Sequence, residues 1–328
     1  MPANLPPQYY EEEKRLRAAR TQEDKIEILE TLLSIIPKHK GTEKLQADLK
    51  SRLSKAKSME TKKPGGSRRG KEYNVDRQGA GQIVLAGLPN AGKSQLLAAI
   101  TNATPLIADY PYSTLKPLPG MARFENIWIQ FVDIPPLTWE VTDSWVSNIL
   151  RNADALCLVV ELNDDPVGQA EILLEELSKK RIRPLRIGES VDKQVGVYPK
   201  RFFIVGAKLD LERSQEGYRE LCDRFQGIFS VIGISARNGT GLDRVSLEAF
   251  QVLDRIRVYT KTPGKKPDKD SPFIITKGST VLDLAEEIHK DFVSRLKAAR
   301  IYSIDMYDGQ RVAKDFVLRD GDVIELVV

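Results

Sequence analysis

The feature that most constrains this chain is a glycine-rich stretch that directly follows a short apolar run. Residues 83–85 are Ile-Val-Leu, and Gly87–Ser94 matches the pattern G-x-x-x-x-G-K-[ST]. The two glycines allow a tight turn in which successive backbone N–H groups point at phosphate oxygens. A helix that begins near Ser94 adds the positive end of its dipole at the same point. The sequence therefore predicts a strand, a phosphate-binding loop and a helix, in that order.

Every residue of this loop is a candidate for nucleotide binding. Lys93 would bridge the outer phosphates, and the hydroxyl of Ser94 would coordinate Mg²⁺. The complete candidate set is Gly87, Leu88, Pro89, Asn90, Ala91, Gly92, Lys93 and Ser94.

Composition narrows the class of protein. The chain has 328 residues, enough for two or three domains, and its net charge of +4 excludes a uniformly basic protein. Cys157 and Cys222 are far apart and lack metal-ligand spacing, which is typical of a reduced setting. The N-terminus has no signal pattern, and no run approaches the about 18 apolar residues of a membrane span. We therefore expect a cytoplasmic protein without membrane contact.

Strand and helix patterns alternate over residues 82–256, the predicted nucleotide-binding domain. This alternation predicts an α/β fold with a mostly parallel sheet and helices on both faces. Ligands of such sheets bind at the carboxyl ends of the strands. The predicted strands are 82–86, 127–133, 155–162, 201–207 and 227–235, and the predicted helices are 94–101, 144–152, 168–180, 218–225 and 242–256.

Residues 1–58 are highly charged and predict an N-terminal helical hairpin. Thr21 and Asp24 resemble a capping box at the start of the first helix. Each helix carries one narrow apolar seam, which suits either an arm that packs on the next domain or an arm that binds a protein partner. The seam residues are Ile26, Leu29, Leu33 and Ile36 in the first helix, and Leu45, Leu49 and Leu53 in the second.

Residues 59–81 have no apolar periodicity and predict a flexible basic linker. Glycine and proline separate its basic residues, which leaves two interpretations open: a merely solvated connection, or a segment that contacts RNA phosphates. The basic residues are Lys62, Lys63, Arg68, Arg69, Lys71 and Arg77.

The sequence pattern of residues 257–328 differs from that of the preceding domain and predicts a small β-grasp-like domain. Two strands, 257–260 and 273–276, precede a helix capped by Ser279 or Thr280. A turn at 320–322 leads into a final strand, 323–328.

Two further residues are candidate Mg²⁺ ligands. Asp133 ends the strand 127–133, where a carboxylate beside a phosphate loop holds the Mg²⁺ shell, usually through water. Thr114, in Tyr110-Pro-Tyr-Ser-Thr, would add its hydroxyl when the γ-phosphate is present, and this would make the loop sensitive to the nucleotide.

The end of strand 201–207 carries a candidate site for the base. Lys208 and Asp210 form x-K-x-D, and the carboxylate of Asp210 would accept hydrogen bonds from guanine N1–H and the 2-amino group. Adenine lacks this pair of donors. A turn at Ser235–Ala236 after the next strand would present a backbone N–H to guanine O6. Taken alone, either pattern also suits an ordinary surface loop.

In this order, these motifs resemble the GTPases of the Obg superfamily, in particular the developmentally regulated GTP-binding (DRG) branch. The tail resembles the TGS domain with which DRG proteins end. The resemblance implies binding of GTP and GDP, slow hydrolysis supported by Lys93 and Thr114, Mg²⁺, and association with the ribosome or RNA. A protein partner would bind the helical arm or the TGS domain. Asn90 matches a position that several relatives use to bind K⁺.

Two residues depart from the family pattern. Pro136 replaces the glycine of D-x-P-G, whose N–H would bind the γ-phosphate, and proline has no N–H. Ala207 replaces an asparagine that ties the base loop to the phosphate loop. We therefore expect weakened nucleotide binding with guanine preference retained through Asp210. Two functions stay open: a slow GTPase switch, or a degenerate GTPase that serves as a nucleotide-binding adaptor for RNA or the ribosome.

Overall fold

The computed structural model describes residues 73, 75–101, 116–137, 144–192, 195–303 and 309–327, together with isolated positions before them. The chain divides into two compact units, Met1–Arg69 and Gly70–Val328. In this described part of the chain, no helix is long and apolar enough to cross a bilayer.

The N-terminal unit contains one apolar cluster that draws on both predicted helical segments. Its described positions around residues 28–35 and 46–53 are helical. Leu32, fully buried, belongs to the cluster but was not among the predicted seam residues. Ile26, Leu45 and the predicted cap at Thr21 lie outside the described residues. The cluster contains Ile28, Leu29, Leu32, Ile36 and Leu49, with Leu33, Ile35 and Leu53 packed against them.

The larger unit begins with a seven-stranded sheet. Its strands are β1 (Gln82–Gly87), β2 (Leu118–Phe124), β3 (Ile127–Asp133), β4 (Ala155–Glu161), β5 (Ile182–Pro184), β6 (Tyr198–Ala207) and β7 (Ser230–Gly233). The order is β2-β3-β1-β4-β6-β5, and β7 also pairs with β6. Only β2 runs antiparallel, to β3, so the predicted mostly parallel sheet is confirmed.

Strand β2 was not predicted, because its sequence contains Pro119 and Gly120. Proline is tolerated here because β2 is an edge strand. Gly120 is needed because a Cβ at this position would lie 2.6 Å from the Thr101 hydroxyl oxygen, just after the first helix. The short strand β5 was missed as well.

In the described part of this domain, five helices cover the two faces of the sheet, as predicted. They are α1 (Lys93–Ile100), α2 (Ser144–Asn152), α3 (Pro166–Lys179), α4 (Ser214–Phe225) and α5 (Leu242–Leu253). Helices α2, α3 and α4 contribute to one core cluster, and α1 and α5 to the other. Helix α3 begins two residues before the predicted start, because Pro166 occupies its first turn and Asp165 caps it. Helix α5 ends at Leu253, before the predicted end at residue 256, because Ile256 belongs to the next strand.

The described end of the predicted linker is fixed to this sheet, which contradicts its prediction as flexible. Gly79 forms an antiparallel bridge with Ile129. The Tyr73 ring packs edge-on against Trp145, with the ring centroids 4.8 Å apart. Arg77 was predicted as part of a basic run, and its Nη1 lies 3.4 Å from Asp154 Oδ1. These residues therefore extend the sheet domain toward the N-terminus.

The C-terminal domain is a second mixed sheet with two helices. Its elements are β8 (Arg255–Thr260), β9 (Phe273–Thr276), α6 (Val281–Ile288), α7 (Lys290–Arg295), β10 (Ala298–Tyr302), β11 (Gln310–Val312) and β12 (Val323–Val327). The order is β11-β10-β12-β8-β9. Thr280 and Asp283 form a capping box at the start of α6, so Thr280 rather than Ser279 is the cap.

The turn between β2 and β3 contacts the C-terminal domain directly. Asn126 Nδ2 donates to Tyr259 Oη (2.8 Å) and to the carbonyl of Lys269 (2.9 Å). The Arg257 guanidinium bonds both Asp320 and Glu125. It also lies over the rings of Phe124 and Phe250, 5.7 and 5.2 Å from their centroids. The two sheets therefore belong to one compact unit.

Candidate nucleotide-binding site

The phosphate loop lies between β1 and α1, where the sequence predicts it. All six residues of β1 are buried. A Cβ on Gly87 would lie 2.6 Å from the carbonyl oxygen of Val159 on β4, so only glycine fits there. Gly92 has a φ of +95°, in the left-handed region. The loop therefore turns tightly against the neighbouring strand.

The side chain of Lys93 is hydrogen-bonded to the start of this loop. Its Nζ donates to the carbonyl oxygens of Gly87 (3.2 Å) and Leu88 (2.9 Å). Burial lowers the pKa of Lys93 to about 8, although the carboxylate of Asp133 opposes this shift. A largely buried amine in this position suits an anionic ligand, because phosphate charge would stabilise its protonated form.

The two predicted Mg²⁺ ligands of the described chain lie side by side. Parallel pairing places Asp133 opposite Leu85, so β3 ends beside the phosphate loop. The Ser94 hydroxyl donates to Asp133 Oδ2 at 2.5 Å, and Asp133 is fully buried. Two oxygen donors of this kind fit a hard cation such as Mg²⁺. Thr114, the third predicted ligand, lies outside the described residues.

The segment after Asp133 is packed rather than open. Ile134 and Leu137 are fully buried in the core cluster that includes α2. The Leu137 N–H donates to the carbonyl oxygen of Gly87 at 3.1 Å. Pro135 and Pro136 have no N–H to donate. Residues 135–137 therefore hold no backbone N–H that is available to a γ-phosphate.

The predicted base residues converge at the ends of β6 and β7. These strands pair in parallel with Gly206 opposite Gly233. The Ser235 hydroxyl donates to Asp210 Oδ1 at 2.6 Å, and it accepts from the Asn238 N–H at 3.1 Å. The hydrogen bond from Ser235 lowers the pKa of Asp210, so the carboxylate stays ionised. The Ser235 hydroxyl thus fixes the orientation of the Asp210 carboxylate.

Lys208 does not pair with Asp210. Its Nζ lies 2.5 Å from Glu161 Oε2 at the end of β4. A cavity of about 590 Å³ opens between α1 and the base loops. It is lined by Gly92, Gln95, Ala98, Ala99, Ala207, Lys208, Asp210, Leu211, Ala236 and Arg237.

Three features of the site were not predicted from the sequence: Glu161, the Ser235 hydroxyl and the Leu137 N–H. Ser235 was predicted to act through its backbone turn, whereas its side chain fixes Asp210. Glu161 ends a predicted parallel strand, so the rule that places ligands at strand ends could have identified it. No sequence signal marks Leu137.

The fold and this site define a P-loop nucleotide-binding protein of the GTPase class. The family described as "50S ribosome-binding GTPase" matches residues 82–188, and the TGS domain matches residues 256–328. The chain is therefore a GTP-binding protein in which a C-terminal TGS domain follows a GTPase domain, as the motifs predicted.

The chain is similar over most of its length to GTP-binding proteins of the DRG group. It is 27% identical to an uncharacterised GTP-binding protein of Methanocaldococcus jannaschii, covering 93% of each chain. It is 24% identical to the developmentally regulated GTP-binding protein 2 homolog of Dictyostelium discoideum, covering 93% of this chain and 98% of the relative. It is 26% identical to developmentally regulated GTP-binding protein 1 of Xenopus laevis, covering 91% of this chain and 97% of the relative.

Proposed function

We propose that this protein binds GTP and GDP with Mg²⁺, hydrolyses GTP slowly, and acts on the ribosome or on RNA. One observation carries the proposal. The Ser94–Asp133 pair and the Ser235–Asp210 pair both lie at the carboxyl-terminal edge of the parallel sheet. One edge of the sheet thus carries residues suited to a cation and phosphates at one end, and residues suited to a purine base at the other.

Guanine selectivity is expected from the oriented carboxylate of Asp210. It would accept from N1–H and from the 2-amino group, neither of which adenine offers. Adenine would offer Asp210 neither of these donors, so the carboxylate would lose water without gaining hydrogen bonds from the base, and a loss of this kind supports discrimination.

The chemistry at the phosphate end would come from positioning and charge. Ser94 and Asp133 would hold Mg²⁺, which neutralises phosphate charge when bound. Lys93 and the start of α1 add positive charge at the same point. Asn90, exposed and at a φ of +60°, is the proposed K⁺ contact. Residues 134–143 contain no histidine or glutamine that would position water, so slow turnover is expected.

Action on the ribosome or RNA is supported by the description of the matching family and by the basic run before the GTPase domain. Lys62, Lys63, Arg68 and Arg69 would contact phosphates without reading sequence. The helical arm and the TGS domain are further surfaces proposed for partners.

A second candidate function is a nucleotide-binding adaptor that does not switch. It is favoured by the Leu137 N–H, which is already bonded to Gly87, and by the missing N–H of Pro136. In this case the nucleotide would serve mainly to hold the domain in one conformation.

Single-turnover GTP hydrolysis with Mg²⁺, in KCl and in NaCl, separates the two candidates. We expect slow turnover that K⁺ accelerates in the wild type. Pro136→Gly restores an N–H at this position, and we expect it to raise the rate about tenfold or more. Pro135→Gly is the matched control, because it removes a neighbouring proline without adding the N–H at 136, and it should not gain activity. GTP binding without turnover in the wild type, but with turnover in Pro136→Gly, would establish the adaptor.

Co-sedimentation with ribosomes tests the proposed partner. We expect binding that weakens steeply between 50 and about 200 mM salt, as phosphate contacts require. Replacing Lys62, Lys63, Arg68 and Arg69 by alanine should reduce both the affinity and the salt slope. Binding that is indifferent to salt would exclude the basic run as the contact.

A further inference from the structure

A second charged surface lies at the far edge of the large sheet, around β5. This strand pairs with the first residues of β6, with Ile182 opposite Tyr198 and Pro184 opposite Lys200. The base cavity instead begins at the last residue of β6, Ala207. At about 3.3 Å per residue, the length of β6 places the two regions about 30 Å apart. The surface around β5 therefore does not belong to the nucleotide site.

The sequence around β5 is strongly basic. Residues 177–188 contain five lysines and arginines and no aspartate or glutamate. Lys179 is paired with Glu175 and Glu176, which precede it on α3. Arg183 is paired with Glu189. The acidic side chains on either side of this stretch therefore neutralise only two of its five cations.

The other three cations, Lys180, Arg181 and Arg186, form no ion pair with any carboxylate that the structure describes. The same holds for Arg151 in the last turn of α2. Its Nε and Nη2 donate to the Lys180 carbonyl oxygen, at 3.1 and 3.0 Å, where α3 ends. Burial lowers the pKa of Lys180, Glu176 opposes this, and the positive charge of Arg151 lowers the pKa further. A bound anion would offset this crowding of positive charge.

An exposed aromatic side chain lies among these cations. Tyr198 is 39% exposed, and its N–H donates to the Arg181 carbonyl oxygen at 2.8 Å. The Arg151 guanidinium lies over the Tyr198 ring, 5.1 Å from its centroid. Arg186 follows along the same edge, at most about 18 Å from Arg181. Together with the four cations, Tyr198 forms a surface that we call the β5 corner.

The chemistry of the β5 corner is that of a site for single-stranded nucleic acid. Cations without carboxylate partners bind backbone phosphates, and an exposed aromatic ring stacks on an unpaired base. The bases of a duplex are stacked on one another, so a tyrosine on a protein surface gains no such contact from a duplex.

The last arginine of the predicted basic run is bound beside the β5 corner. The Arg77 guanidinium donates to the carbonyl oxygen of Asn152, the residue after Arg151. Asp154 balances the charge of Arg77, so Arg77 is not counted in the corner. Arg69 precedes Arg77 by eight residues, and the chain keeps the two within about 28 Å of each other. One RNA strand can therefore reach both the corner and the run.

We propose, building on the proposed function, that the β5 corner binds a single-stranded segment of RNA. Lys180, Arg181 and Arg186 contact its phosphates, and Tyr198 stacks on an unpaired base. Arg151 is a positioning residue that holds the Tyr198 ring and the end of α3. Because the nucleotide site lies at the opposite ends of the strands, RNA and GTP bind at the same time.

Fluorescence anisotropy of a labelled, unstructured RNA of about twelve nucleotides, added to the full chain, tests the charges. We expect Lys180→Gln with Arg181→Gln to weaken binding about tenfold at about 150 mM KCl. The slope of log affinity against log salt should fall by about 1.4, or about 0.7 for each phosphate contact. Arg219→Gln with Arg224→Gln is the matched control, because it removes the same charge from exposed positions of α4 and should leave the slope unchanged.

Tyr198 tests the stacking contact separately from the charges. Tyr198→Ala should weaken RNA binding about tenfold with the salt slope unchanged, because the phenol carries no charge. Tyr198→Phe keeps the ring and should bind as the wild type does. A duplex of the same sequence should bind more weakly than the single strand.

Several results would overturn the inference. One is an affinity and a salt slope in the Lys180/Arg181 variant that equal those of the α4 control. If that variant also unfolds at a lower temperature, its cations serve only the ends of α2 and α3. Arg186→Gln lies outside every helix and strand, so its expected slope change of about 0.7 can be measured even if the first variant does not fold. Equal binding of duplex and single strand, or equal losses in the two Tyr198 variants, would also contradict the proposal.

Failure of the proposed function gives a different result. If neither RNA nor ribosomes bind the wild type, action on the ribosome or RNA is overturned, and this inference with it. If RNA binds the wild type and the corner variants equally well, only the β5 corner is excluded as the contact. If ribosomes bind but the RNA does not, the partner is a ribosomal protein and the inference fails.

Discussion

At the scale of single residues, two side chains of the nucleotide site are each fixed in position by a second side chain from another part of the sequence. Asp210 is held by Ser235, and Lys208 by Glu161. The motif predicted Lys208 and Asp210 because x-K-x-D is a local pattern. Neither partnership is local, since each joins the ends of two different strands, so only the pairing of β4, β6 and β7 reveals them.

Ser235→Ala should weaken GDP binding about fivefold to tenfold, since Asp210 loses the hydrogen bond that orients it. The pKa of Asp210 should rise toward its ordinary value, because that hydrogen bond is the main cause of its lowering. Titration calorimetry measures the first effect, and NMR titration of the carboxylate measures the second. Ser230→Ala, at the start of β7, is the control and should change neither quantity. Unchanged GDP affinity in Ser235→Ala would show that Asp210 does not depend on this contact.

At the scale of elements, the strands of the GTPase domain with continuous apolar sequences were predicted, whereas β2 and the short β5 were not. β1 and β4 lie in the centre of the sheet and consist almost wholly of apolar residues. The residues just before β1 carry no such pattern, yet they follow β3, where the Ala80 N–H donates to the carbonyl of Trp128 at 2.7 Å. A segment that pairs at the edge of a sheet depends more on backbone hydrogen bonds than on apolar side chains. The sequence pattern that would predict such a segment is therefore weak.

Gly79→Ala tests whether this edge segment belongs to the GTPase domain. Gly79 has a φ of +68°, and an added Cβ would lie 2.2 Å from the Trp128 carbonyl oxygen. We expect a loss of at least about 2 kcal/mol in the free energy of unfolding. All three tryptophans lie within residues 128–145, so their fluorescence reports this domain during urea denaturation.

Gly227→Ala provides the matched control. Gly227 has a φ of +93° but no atom within 4 Å of its would-be Cβ, so it should lose only about 1 kcal/mol from backbone strain. Equal losses in the two variants would show that the contact of residues 79–80 with β3 adds no stability.

At the scale of the whole molecule, Arg257 connects the GTPase and TGS domains. It is only 12% exposed in its side chain and bonds Asp320 within the TGS domain and Glu125 on the β2–β3 turn. The same turn connects β2 to β3, and β3 ends at Asp133. Strand β3 therefore runs from the turn that contacts the TGS domain to Asp133 beside the phosphate loop.

Arg257→Ala should uncouple the unfolding of the two domains. In the wild type we expect thermal transitions followed by tryptophan fluorescence and by far-ultraviolet circular dichroism to coincide. The variant loses the ion pairs and the ring contacts, about 1–3 kcal/mol, and its two transitions should separate. Arg255→Ala is the control on the same strand, since Arg255 bonds only the exposed Thr276 hydroxyl among the described contacts. Coincident transitions in Arg257→Ala would show that the domains are held together by other contacts.

The sequence by itself determined the class of this protein, because the phosphate loop, the strand-end Asp133 and the x-K-x-D pattern are each set by a few adjacent residues. It also located Pro136 and Ala207 as two residues that depart from the family pattern which the motifs resemble. The tertiary structure decided what those departures mean. Burial of Leu137 and its bond to the Gly87 carbonyl fix the segment after Asp133, and Ala207 packs against Gly92 of the phosphate loop through its methyl group. These are contacts between residues distant in the sequence, and only packing of the strands brings them together.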